Sequence, residues 1–163
     1  MKKQTILKLA LGIISSVILV SGPEAGAQSS SSPNSKNLVG VWQVVRHGVD
    51  CSSGTDLNSF PALMSFHRDG IISSQAVPPG STNAYGAEDF GVWQNLGNRN
   101  YSFHFISYGY DDSGVFAGSL QATGSLQLTS PNSFSYTATL DFYDANGNLL
   151  FSGCGRADGT RFQ

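Results

Sequence analysis

Beyond residue 36 the chain alternates apolar and polar side chains with a period of two, and no window holds the apolar period of a helix. The stretch 116–128 is the clearest. Phe116, Gly118, Leu120, Ala122, Gly124, Leu126 and Leu128 share one face, with Ser119, Gln121, Thr123, Ser125 and Gln127 on the other. Phe134, Tyr136, Ala138, Leu140 and Phe142 repeat the pattern, as do Tyr101, Phe103 and Phe105. Eight runs of this kind follow one another, at 38–47, 62–67, 70–77, 90–95, 100–108, 115–128, 133–143 and 148–156, the last extending toward Phe162.

Most links between runs are short and rich in Gly, Asn and Asp, the residues of tight hairpin turns. Sequential antiparallel strands with one wet face close into an all-β, eight-stranded up-and-down barrel with no major helix, and closure removes the sheet edges. A two-layer sandwich is the rival architecture. Two links are long, 48–60 and 78–89. The second sets hinge residues around Tyr85 and reads either as a lid or as an ordinary surface loop.

The start of the chain has another character. Lys2, Lys3 and Lys8 precede the apolar run 9–20, and Ala25-Gly26-Ala27 offers small residues for cleavage before Gln28. Residues 1–27 read as a signal peptide of bacterial style, which sends the product to the periplasm or the exterior. Residues 28–36 are Ser-rich and form a flexible linker, so the single folded domain spans 37–163. All 10 Phe, 6 Tyr and 2 Trp fall within it, enough for a true core.

Removal of the signal leaves the basic residues Lys36, Arg46, Arg68, Arg99, Arg156 and Arg161 against a larger number of acidic ones. The cations are scattered singly and form no stripe, which argues against nucleic acid and against a stable membrane anchor. Oligomeric state stays open.

Two cysteines in an exported chain form one disulfide, Cys51–Cys154, stapling the first strand to the last. A bridge lying across that ladder would set Arg161 opposite Val44 and Gln163 opposite Trp42. Arg161 would then stack diagonally over the indole.

Gly40-Val41-Trp42 near the first strand, a long loop after it, eight strands and a late Arg that covers the Trp resemble the lipocalin and wider calycin pattern. The resemblance implies a secreted barrel with a small apolar ligand in its cup, and a structural floor of Trp42 and Arg161. The chain departs from that pattern in having no helix after the eighth strand. Asp141-Phe142-Tyr143 stands where a Thr-Asp-Tyr would be expected. Phe60-Pro61-Ala62-Leu63, Gly91-Val92-Trp93 and Ser152-Gly153-Cys154 also resemble a group of small exported bacterial proteins, a likeness that transfers neither ligand nor catalytic residue.

Catalytic chemistry has little to build on. His47, His67 and His104 lack the spacing of metal ligands, and His104 alternates outward. Asp111-Asp112 and Asp144-Ala145-Asn146-Gly147 read as acidic turns, and no Gly-x-Ser-x-Gly elbow is present. Glu88 and Asp89 are expected in a solvated loop. No cofactor and no metal are expected. The ligand-lining candidates are Met64, Phe66, Trp93, Tyr101, Phe103, Phe105, Phe116, Tyr136 and Phe142, which either line a cup or fill the interior. The leading expectation is a binder of a small apolar or amphipathic molecule. The alternatives are a cyclase or isomerase using His47 or a Tyr as acid or base, and an envelope interaction module with a filled core.

Overall fold

The computed structural model describes residues 37–76 and 87–162. Eight strands follow one another: β1 (Gly40–Val49), β2 (Asp56–Phe66), β3 (Ile71–Ala76), β4 (Ala87–Gly97), β5 (Asn100–Tyr110), β6 (Phe116–Ser130), β7 (Ser133–Asp144) and β8 (Leu149–Arg161). Each pairs antiparallel with its neighbours, and β1 pairs with β8, so the sheet is a closed barrel and not a sandwich. No helix occurs among the described residues. The ladder traced from Trp42 through Met64, Ser74, Asp89, Ser107, Leu120 and Phe142 ends at Phe151, near the opposite end of the barrel. This climb is the stagger that closure demands of tilted strands.

The barrel has two unlike poles. At the first, Trp42, Phe66, Phe134, Leu38, Met64 and Leu128 are almost wholly buried and fill the interior. Edge-on contacts join Phe134 to Trp42 at 4.9 Å and to Phe66 at 5.9 Å between ring centres. Arg161 seals this pole. Its guanidinium lies 4.2 Å from the Trp42 ring centre and donates to the carbonyls of Val39, Asn37 and Pro131. The Trp42 indole N–H donates to the Leu38 carbonyl at 2.9 Å.

The Phe134 ring fits there because β8 presents Gly159 opposite it. A Cβ at Gly159 would come within 2.3 Å of the ring. Gly159→Ala is therefore expected to cost about 1–3 kcal/mol by overpacking, read from the midpoint of urea unfolding. An unchanged midpoint would mean that the ring can withdraw freely.

Three expectations need correction. The link expected at 48–60 is mostly strand: β1 runs to Val49, β2 starts at Asp56, and only 50–55 form the turn. The Asn58 side chain accepts from the Gly48 N–H at 3.2 Å and holds this polar part of the ladder. The same turn alters the register. Cys51 lies outside the ladder and reaches Cys154, whose strand partner is Val49, with the two Cα atoms 5.3 Å apart. Arg161 consequently pairs directly with Trp42 and Gly159 with Val44, two places from the expected register. Gln163 lies outside the described residues.

The third correction concerns Glu88 and Asp89, which belong to β4 and not to a loop. The lid reading falls on residues 77–86, outside the described residues. The disulfide itself forms as expected and points to an oxidising, non-cytoplasmic compartment.

Candidate ligand cavity

Alternation along β1 turns Trp42, Val44 and then Arg46 inward. A cation inside a barrel needs compensation, because burying it unpaired is costly. Compensation comes from four other strands. Asp89 on β4 accepts from Arg46 Nη1 at 2.7 Å, and Ser74 on β3 accepts from Nη2 at 2.8 Å. Phe105 on β5 lies under the guanidinium at 5.0 Å. Tyr136 on β7 lies close enough to the guanidinium to act on its charge.

Burial pulls the Arg46 pKa down, but the charge of Asp89 works the other way and the net shift is upward, so the group stays cationic. Burial raises the Tyr136 phenol, so that hydroxyl keeps its proton. The Arg46 Nε–H has no acceptor among the described residues. This polar belt crosses the interior beyond the packed pole.

On the other side of the belt lies a cavity of about 240 Å³. Its wall is Phe60, Phe105, Leu120, Ala138, Leu140 and Phe142, with Arg46 and Tyr136 also lining it and His47, Asn58 and Arg156 at its margin. Gly48 and Gly155 add no side chain and leave the space clear. The pole beyond the cavity carries the turns joining β1 to β2, β5 to β6 and β7 to β8. Those turns are acidic. Asp50 accepts four hydrogen bonds from Ser52 and Ser53, which hold its carboxyl at about 2. Asp111 and Asp144 cap their own turns in the same way. The opposite pole carries Arg68, Arg99 and Arg161.

The nine candidate lining residues divide between the two halves. Phe105, Tyr136 and Phe142 border the cavity. Met64, Phe66, Tyr101 and Phe103 are buried in the core, and Trp93 packs against it, edge-on to Phe66 and Tyr101. Phe116 was expected on the inner face and is instead 38% exposed at the rim, against Tyr108 and Tyr110. It precedes Gly118 at the very start of β6, where the register shifts and no opposite wall covers it.

His47 follows Arg46, so the alternation turns it to the outer face. There its Nδ1 sits 3.0 Å from Asp56, which Arg156 grips through two hydrogen bonds. Arg156 holds the Asp56 carboxyl below its usual range. The described residues contain no cluster of three or more His, Cys, Asp or Glu able to hold a metal.

Arg46, Asp89, Ser74 and Phe60 were missed as site residues. The available signal was parity: Arg46 shares a face with Trp42 and Val44, Asp89 with Trp93, and Ser74 with Ile72 and Ala76.

No known family model matches the chain, and no curated protein sequence does. Among solved structures it is similar to a de novo designed fluorescence-activating β-barrel. The identity is 16%, the match covers 78% of this chain and 96% of that one, and the TM-score is 0.42.

Proposed function

We propose that this chain is an exported, lipocalin-like binding protein that holds one small apolar or amphipathic molecule, noncovalently, in the cavity between the polar belt and the acidic pole. The observation that carries this reading is the union of an apolar wall with an oriented polar end. Five large apolar side chains face a space of about 240 Å³, and Arg46 and Tyr136 stand at its edge. Ligand sites are commonly apolar with a few placed polar groups. An apolar cavity of about 150 Å³ already takes a benzene-sized guest. Signal cleavage before Gln28 and release to the periplasm or exterior are part of the same proposal.

The test uses the neutral fluorescent probe N-phenyl-1-naphthylamine. Wild-type protein is expected to bind it at one site, and Leu140→Trp, which fills the cavity, is expected to weaken binding at least tenfold while the fold persists. Undiminished binding to folded Leu140→Trp protein would place the probe elsewhere and end this reading.

A second reading, an envelope interaction module, is favoured by the outer surface. Val41, Val45, Leu63, Ile71, Phe90 and Val92 are exposed on β1–β4, whereas Ser and Thr dominate the outer positions of β6 and β7. Native mass spectrometry of purified protein separates the two, since one expects a small bound molecule and the other a protein.

A further inference from the structure

We propose that the cavity selects by charge, taking apolar molecules that bear a neutral oxygen, such as an alcohol or ketone, over the corresponding carboxylates. This deepens the binding reading above and rests on it. Both arginines at the cavity already have an anion: Asp89 stands 2.7 Å from Arg46 Nη1, both groups buried, and Asp56 stands 2.8 Å from Arg156 Nη2. A ligand carboxylate would bring a second negative charge close to Asp89 in a space with little water, where two neighbouring carboxylates resist joint ionisation. A hydroxyl or carbonyl oxygen meets no such opposition.

Hydrogen bonding gives an oxygen-bearing ligand its place, and the charge of Asp89 decides which class takes it. The Arg46 Nε–H has no acceptor among the described residues, and one lone pair on a neutral oxygen satisfies it. Tyr136, which stays protonated, lines the same cavity and has an O–H to donate. The way in adds a long-range effect. Asp50, Asp111, Asp112 and Asp144 are exposed on or beside the turns of this pole, or partly so, and their field lowers the local concentration of anions.

The experiment is isothermal titration of the whole mature protein with 1-octanol, 2-octanone and octanoate at about pH 7.5, where the acid is ionised. Octanol and octanone are expected to bind at least tenfold more tightly than octanoate. A plain apolar pocket would also prefer the alcohol, so the deciding arm is Asp89→Asn. Neutralising Asp89 is expected to tighten octanoate at least tenfold and to leave octanol within about twofold.

A second variant guards against misfolding of the first. In Arg46→Met/Asp89→Leu, octanol is expected to lose at least fivefold while native circular dichroism shows that the barrel is kept. Octanoate binding most tightly to wild type, or an octanoate affinity unmoved by Asp89→Asn, would overturn charge selection and leave the cavity reading standing. If folded wild-type protein takes up neither the three probes nor the naphthylamine, both proposals fall.

Discussion

Asp89→Ala is expected to lower the stability of the barrel by about 3–5 kcal/mol, because it leaves a buried guanidinium without its counter-charge. Arg46 cannot escape by losing its proton, since a guanidinium stays protonated in proteins at neutral pH. Nor can it turn outward readily: it is 8% exposed, held by Ser74 and stacked on Phe105 from other strands. The contrast that identifies the cause is Arg46→Met/Asp89→Leu, which removes both charges and retains apolar volume. Buried ion pairs replaced in this way are often neutral or even favourable, so the double variant is expected within about 1 kcal/mol of wild type. Urea unfolding followed by tryptophan fluorescence measures both. A single variant less than about 1 kcal/mol below wild type would show that water reaches Arg46 freely.

Loss of the disulfide is expected to have an effect of similar size from the opposite side of the equilibrium. Cys51 and Cys154 are 103 residues apart in sequence, so their bond restricts nearly the whole unfolded chain. The loop-entropy account gives about 4–5 kcal/mol for such a loop. In a domain of this size that corresponds to a fall in Tm of roughly 15 °C. Cys51→Ser/Cys154→Ser, compared with wild type by calorimetry, tests it. Because β1 and β8 stay paired from Trp42 to Val49 without the sulfur atoms, the double variant is expected to keep its native circular dichroism at low temperature. A Tm unchanged to within a few degrees would mean that the unfolded chain is already held compact by other contacts.

The alternation in the second half of the chain made the architecture legible. In β5, β6 and β7 aromatic and aliphatic residues occupy every second place over long stretches, and nothing else explains that period. The beginning of β2 was hidden because Asp56, Leu57, Asn58 and Ser59 are all exposed, so neither face carries an apolar signal. The register was misjudged by two because a disulfide says which residues meet, not whether both belong to the ladder.

The site was harder to see for a different reason. Hydrophobic patterning treats a charged residue as outward by default, and Arg46 and Asp89 compensate each other from β1 and β4, strands that are not paired in the sheet and meet only across the closed interior. A single cation on an apolar face signals nothing until its partner is found. Parity places both on inner positions, and that pairing of unlike charges at inner positions of separate strands is the clue that a sequence can offer.

β1 starts and β8 finishes at the packed pole, where Arg161 covers Trp42, while the cavity lies toward the other. Among the described residues, the chain thus enters the barrel at Asn37 and leaves it at Phe162 on the same side, away from the cavity. A solid support fixed beside Phe162 would leave the acidic pole facing outward, so protein immobilised there should take up N-phenyl-1-naphthylamine as readily as free protein does.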